Sequence, residues 1–181
     1  MNLKKVVFPV AGLGSRFLPV TKAIPKEMLP IIDKPLIQYA VEEAIEAGFD
    51  ELIFITGNTK KAITEHFDDK PNLNISNLTE DKKNFLSEMY RIIPNHVSCK
   101  YILQEEPLGL GHAILQAKEV VDGSPFAVVL ADDLIDSKQS VLKQMLGKYN
   151  DEDSSVISVQ KINKADSVNY GIIDFKMDSA G

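Results

Sequence analysis

A chain of 181 residues, 44% hydrophobic and 25% charged, carries enough apolar material for one globular domain with its own core, so disorder is not expected. No apolar run approaches the roughly 20 residues that cross a bilayer, the first residues lack the charged-then-apolar layout of a signal peptide, and the lone Cys99 cannot close an internal disulfide, which suits a reducing, cytoplasmic setting. The net charge of −6 is unevenly spread: residues 1–34 hold Lys4, Lys5, Arg16, Lys22, Lys26 and Lys34 against Glu27 and Asp33, a balance of +4, and the remainder holds 14 basic and 24 acidic residues, a balance of −10. An acidic body with one basic loop argues against broad binding to a nucleic-acid backbone and suits a small polyanion held at one place.

The first predicted element is a buried strand over 5–10, Lys-Val-Val-Phe-Pro-Val, followed at once by Ala11-Gly12-Leu13-Gly14. A strand, a glycine turn and then the cations Arg16, Lys22 and Lys26 describe a phosphate pocket, because glycines let backbone N–H groups approach an anion closely. The Walker pattern is excluded, since Gly14 is followed by Ser15-Arg16-Phe17 rather than by Lys-Ser/Thr. The dinucleotide fingerprint is matched only in its first two glycines, Phe17 standing where the third belongs. Pro19, Pro25 and Pro30 stiffen a non-helical excursion that carries two lysines. The plain alternative is a solvated basic loop.

A helix is predicted from Pro35, a favoured first-turn residue, with Ile37, Ala40, Val41, Ala44 and Ile45 on one face and Gly48 as its stop. A strand near 51–56 follows, then a helix from about Thr59 to Phe67. Another helix begins near Thr79, with Glu80 and Asp81 in its first turn and Phe85, Leu86, Met89 and Tyr90 as an apolar stripe. The stretch 68–98 is longer than a plain crossover needs, and is read either as surface elaboration or as a lid or subunit contact. Further strands are expected near 98–103, 125–130, 155–160 and 170–175, the last followed by a turn at 178–181. Alternating strands and helices predict a three-layer αβα, Rossmann-like domain with a mostly parallel sheet.

In such sheets ligands collect at the carboxyl ends of the strands. Loop 11–27, Gln104 with Gly109-Leu-Gly111, and Asp132-Asp133 all follow predicted strands, so topology gathers them on one edge. At Gly109 and Gly111 either backbone N–H groups or close packing would account for glycine. Asp132 follows a run read as a buried strand, where a carboxylate is costly unless it binds something; Mg2+, which takes a few carboxylate oxygens together with phosphate oxygens and water, is the natural partner. His66, His96 and His112 show no metal-ligand spacing and are read as structural.

The string Gly12-Leu-Gly-Ser-Arg16, Pro19, Thr21-Lys22 and Pro25-Lys26-Glu27-Met28-Leu29-Pro30, then Asp33-Lys-Pro-Leu-Ile-Gln-Tyr39, resembles the N-terminal signature of the sugar-nucleotidyltransferase family, and within it the bacterial UTP:glucose-1-phosphate uridylyltransferases. The related thymidylyltransferases usually carry glutamine where Glu27 stands. The likeness extends through Gln104, Gly109-Leu-Gly-His-Ala113, Asp132-Asp133 and Tyr170-Gly171.

What the resemblance implies is uridylyl transfer from UTP to glucose 1-phosphate, giving UDP-glucose and pyrophosphate, with Mg2+ as cofactor. It implies that Gln104 and Gly109 contact the uracil, that the backbone of Ala11 and Gly12, together with Gly14 and Glu27, serves the nucleotide, and that Gly171 lies near the glucose. Catalytic parts fall to Arg16 on the leaving phosphates, Lys26 on the triphosphate and Asp132 on the metal, with Lys22 in reserve. Homo-oligomers are expected of the full-length protein, and neither nucleic acid nor membrane is an expected partner. The alternatives are a dTTP-dependent sugar-1-phosphate nucleotidyltransferase and a nucleotide-binding fragment without turnover. The second arises because the family's chains are longer and carry a later Glu-Lys-Pro motif that does not occur here, so the chain is expected to be the N-terminal part of a catalytic domain.

Overall fold

The structure, a computed structural model, describes residues 3–57, 61–68, 77–149 and 154–174, apart from the side chains of Glu88 and Met89. β1 (Lys5–Pro9) leads into 3-10 turns at Ser15–Phe17, Val20–Lys22 and Lys26–Met28. A short ladder, β2 (Pro30–Ile31) against β3 (Lys34–Pro35), precedes α1 (Leu36–Ala47). There follow β4 (Glu51–Thr56), α2 (Lys61–Phe67), α3 (Glu80–Tyr90), β5 (Ser98–Leu103), α4 (Leu110–Gln116), α5 (Lys118–Val121), β6 (Phe126–Val128) and α6 (Val141–Lys148).

The main sheet is parallel throughout, in the order β5-β4-β1-β6. Side chains alternate across it, as the period of a strand requires. Val6, Phe8, Val10, Leu52 and Phe54 pack with α1, α2 and α6 on one face, while Val7, Ile53 and Ile55 meet Ala113, Ala117 and Val121 around α4 and α5 on the other. Helices on both faces of a parallel sheet are the three layers that the alternation of elements predicts. α1 begins one residue later than expected, with Pro35 extended at its N-cap rather than in its first turn, and ends as expected at Gly48, which at φ 102° takes the left-handed conformation.

β6 is shorter than the run 125–130 expected for it, and Pro9 supplies the reason. Val129 N–H donates to Val7 O at 3.0 Å and Val10 N–H to Ile55 O at 2.9 Å, so odd-numbered residues of β1 face β6 and even-numbered ones face β4. The next rung toward β6 would need an N–H from Pro9, which has none. The β1–β6 ladder therefore ends opposite Val128. The chains part just where the sheet changes direction of winding, since β4 and β5 were laid down on one side of β1 and β6 on the other. That is the switch point at which open α/β sheets take ligands.

Three expectations need correction. Residues 154–160 and 170–174 form no strand; a strand needs a neighbouring strand to satisfy its backbone, and among the described residues neither segment has one, with Ile157, Val159 and Ile172 each more than 60% exposed. Phe175 and the turn expected at 178–181 lie outside the described residues. The stripe on α3 is not packed: Phe85 is 61% exposed and Leu86 and Tyr90 are half-buried, because both faces of the sheet are already covered. Of the long stretch 68–98, residues 69–76 lie outside the described residues, as do Thr59 and Lys60 at the expected start of α2; Ile93 and Val97 return the chain to the core. Finally, β6 is an edge strand among the described residues, with Val128 38% exposed, so Asp132 does not follow a buried strand.

On α2, His66 Nε2 donates to Gln38 Oε1 at 3.0 Å, and burial lowers its pKa from the usual 6.5. A base whose folded pKa is depressed binds more protons when unfolded, so its stabilising neutral form is fully effective above pH 6.5 and stability falls as the pH drops through the folded value. His66→Gln is expected to shrink the fall in thermal midpoint between pH 7.5 and pH 5, measured by circular dichroism; an unchanged difference would show that other groups carry it.

Candidate active site

The site begins where β1 ends. Ala11 is buried, and Gly14 takes φ 65°, a left-handed value that favours glycine. A Cβ on Gly14 would also stand 3.1 Å from Lys26 Cβ and from Thr21 Cγ2. The loop is thus folded back on itself, and Thr21 Oγ1 fastens it by donating to Gly14 O at 2.7 Å. Gly12 approaches Lys26 more loosely, a Cβ there lying 3.9 Å from Lys26 Cε. Glycine at 14 therefore brings the stem of Lys26 across the start of the loop.

Lys26 then reaches 106 residues along the chain to Asp132, Nζ to Oδ2 at 2.6 Å. The lysine side chain is 19% exposed and the aspartate 44%. Burial pushes the Asp132 carboxyl up, but the hydrogen bond and charge of Lys26, with a smaller share from its own backbone and from Arg16, more than offset it and hold the pKa below the ordinary value. The carboxylate is thus kept ionised beside two cations. Arg16 and Lys22 sit on exposed turns and make no ion pair among the described residues.

The remaining cations of the basic N-terminal segment have structural tasks. Lys5 Nζ donates to Val120 O and Val121 O at 3.1 and 3.0 Å, satisfying carbonyls at the end of α5. Lys4 pairs with Asp50 at 2.9 Å and Lys34 with Glu42 at 2.7 Å. Three of the six cations in residues 1–34 are engaged in this way, leaving Arg16 and Lys22, with the Asp132-paired Lys26, to face an anion.

Register places the other candidates. Pro9 pairs with Ile55 and Ile55 with Ile102, so two residues further on Ala11, Gly57 and Gln104 stand level; Asp132 follows the end of β6 on the other side of β1. Strands roughly 5 Å apart put the end of β5 that carries Gln104 about 15 Å from the end of β6 that leads to Asp132. That span suits an extended nucleotide, with its base at one end and its phosphates at the other.

Gln104 is 5% exposed, and its N–H donates to Thr56 O at 2.8 Å. Its amide meets His112 Nδ1 at 2.8 Å. Gly109 takes φ 99° and ψ −179°, a conformation open almost only to glycine, with nothing within 4 Å of a Cβ there. Backbone conformation rather than close packing therefore explains that glycine, whereas Gly111 shows neither requirement. Glu27, in the turn Lys26–Met28, is buried, at 1% exposed. Gly171 stands in an exposed stretch with open space around it.

A hollow of about 280 Å³ adjoins the ion pair, with Phe17, Leu29, Leu36 and Leu134 in its wall beside Lys26 and Asp132. A larger one of about 420 Å³, between Gln160 and Tyr170, includes none of the candidate residues. Among the described residues no three His, Cys, Asp or Glu side chains cluster as a metal site, and no helix is long and apolar enough to cross a membrane.

A sequence profile of the family described as nucleotidyl transferase matches residues 5–180. The chain belongs to that family. The UTP–glucose-1-phosphate uridylyltransferase of Bacillus subtilis (strain 168) is 47% identical to it over 173 residues, which are 96% of this chain and 59% of that relative. A solved UDP-glucose pyrophosphorylase from Acinetobacter baumannii superposes with a TM-score of 0.87 at 42% identity, over 99% of this chain and 64% of that one. A UTP-bound structure of the enzyme from the same organism gives 0.75 at 44% identity, over 83% of this chain and 54% of that one. The nucleotidyl transferase chain described here thus spans about 60% of the length of its curated relative.

Within this family member, sequence reasoning singled out Arg16, Lys26 and Asp132, and the structure brings them together. It did not find the contact between Gln104 and His112. The one available signal was their spacing, a glutamine at a strand end eight residues before a histidine in the first turn of a helix.

Proposed function

We propose that the protein of which this chain is part transfers a uridylyl group from UTP to glucose 1-phosphate. A phosphate oxygen of the sugar attacks the α-phosphorus, a new P–O bond forms as the bond to the β-phosphate bridging oxygen breaks, and pyrophosphate leaves with the electron pair. The observation that carries the reading is the Lys26–Asp132 pair at the switch point of the sheet. The names of its relatives, at 42–47% identity, supply the substrates.

Attacker and target are both anionic, and two unit charges about 4 Å apart repel by roughly 4 kcal/mol at an effective dielectric of about 20. Catalysis must therefore come largely from neutralising and aligning charge. Lys26, half enclosed and already steered by Asp132, serves the triphosphate at the α-position; Arg16 serves the leaving phosphates, with Lys22 behind it. The backbone of Ala11 and Gly12 serves the nucleotide, Gln104 and the Gly109 turn take the uracil, and Gly171 borders the glucose. Glu27, buried in the turn that carries Lys26, serves the nucleotide from there.

The chemistry of Asp132 fits Mg2+, which needs one or two ionised carboxylates and completes its shell with phosphate oxygens and water. Bound there, the ion would neutralise phosphate charge. Lys26 shares the same carboxylate, so it orients Asp132 for that task and keeps it ionised.

The test is calorimetric titration of this chain with UTP, dTTP and ATP, followed in the full-length protein by pyrophosphate release on adding glucose 1-phosphate. Selective binding of UTP and release dependent on glucose 1-phosphate are expected. Equal binding of the three nucleotides would overturn the uridylyl reading.

A further inference from the structure

The amide of Gln104 is one end of a chain that nothing in the transfer chemistry uses. His112 Nδ1 lies 2.8 Å from Gln104 Nε2, and the other ring nitrogen, Nε2, lies 3.1 Å from Nε2 of Gln116, one helical turn further along α4. Gln104 is 5% exposed and His112 and Gln116 are half-buried, so the contact at the Gln104 end is shielded from water.

A neutral imidazole carries one N–H. It donates through one nitrogen and accepts through the other. Two NH2 groups cannot both donate to it, so one amide must turn its oxygen to the ring. Gln116 Nε2 also has the carbonyl of His112 to donate to, which keeps Gln116 as the donor, and Gln104 turns its oxygen to the ring N–H and its NH2 group outward. Gln104 therefore cannot turn its amide over unless the ring proton moves to the other nitrogen and Gln116 turns over as well. The carbonyl of His112, 3.5 Å from Gln116 Nε2, lies at the far end of the chain and disfavours the turn in which Gln116 would face it with oxygen.

We propose that His112 is a positioning residue which, through Gln116, fixes the polarity that Gln104 presents to a nucleobase and so discriminates uracil from cytosine. The proposal rests on the reading that the base lies at Gln104. Uracil offers an acceptor at O4 and a donor at N3, and cytosine offers a donor at N4 and an acceptor at N3; the two edges are opposite in sense. A glutamine free to turn over serves both equally. One whose amide is locked serves one and leaves a mispaired buried group against the other.

The experiment is titration of this chain with UTP and CTP at pH 8, for the wild type, His112→Asn and Gln116→Leu, alongside the imidazole ¹⁵N spectrum. The wild type is expected to favour UTP about tenfold or more, the scale of one mispaired hydrogen bond, and to show a single His112 tautomer. Gln116→Leu, a residue at the remote end of the chain, should bring the ratio to within about threefold and mix the tautomers. His112→Asn can still bond Gln104 but its own amide turns over with it, so the variant should fold normally and lose the preference. A merely structural histidine would have its role restored by asparagine. A preference for UTP kept in both variants, or mixed tautomers in the wild type, overturns the proposal and leaves the nucleotide reading standing. No preference in the wild type overturns the placement of the base at Gln104, and the proposal with it.

Discussion

Lys26→Ala is expected to weaken UTP binding by about a hundredfold or more, measured by calorimetry with a chelator present so that no metal contributes. Two effects add. The variant loses the cation meant for the triphosphate, and it leaves the Asp132 carboxylate facing that anion without its 2.6 Å partner. Truncating one member of a buried charge pair typically costs roughly 2–5 kcal/mol, much of it from the charge left behind, and with Asp132 44% exposed this pair falls toward the low end. The second effect can be isolated. Without Lys26 the upward push of burial on Asp132 is less opposed, so the carboxyl should titrate higher, and adding Asp132→Asn should restore about tenfold of the lost affinity. Unchanged affinity in Lys26→Ala would remove Lys26 from the site. A double variant no better than the single would show that the lost cation accounts for the whole effect.

The sequence makes this pair legible from both sides. Two glycines after an apolar run, three prolines and a cluster of cations mark the loop, while an aspartate just past another apolar run marks its counterpart. What joins them is the order of strands, and the alternation of elements is enough to bring both to one edge. Other features are not local. Pro9 reads from sequence as one more residue of a strand, yet its missing N–H acts only because β6 happens to lie on that side. The apolar character of 155–160 and 170–175 predicts strands, but pairing depends on a neighbour that no single segment encodes. The basic N-terminal balance overstated the free charge because the partners of Lys4, Lys5 and Lys34 lie elsewhere in the fold, at Asp50, the end of α5 and Glu42. His112 showed no ligand spacing, and its significance comes from the side chains on either side of its ring.

Phe54→Ala is expected to cost roughly 3–5 kcal/mol of stability, the usual range for deleting a buried phenylalanine. Phe54 is fully buried in the middle strand of three, and its ring stacks on Phe8 at 5.1 Å, Tyr101 at 5.1 Å and Phe67 at 5.3 Å. One side chain thus ties β1, β4, β5 and α2 together, and the cavity left by its removal would be walled by rigid rings that collapse poorly. The same three strands carry Ala11, Gly57 and Gln104 at their ends, so a shift in their spacing reaches the nucleotide edge. Against a total stability of about 5–15 kcal/mol for an ordinary domain, such a loss should lower the urea midpoint steeply. Phe85→Ala on α3, where the ring is 61% exposed, should change stability by less than about 0.5 kcal/mol. Saturating UTP binds only the folded chain, and at a hundred times its Kd should return about 2.7 kcal/mol to Phe54→Ala if the nucleotide edge survives the substitution. Equal midpoints for the two phenylalanine variants would show that the stacked rings do not hold the sheet together. A Phe54→Ala variant that UTP does not stabilise would show that the spacing of β1, β4 and β5 is itself part of the binding site.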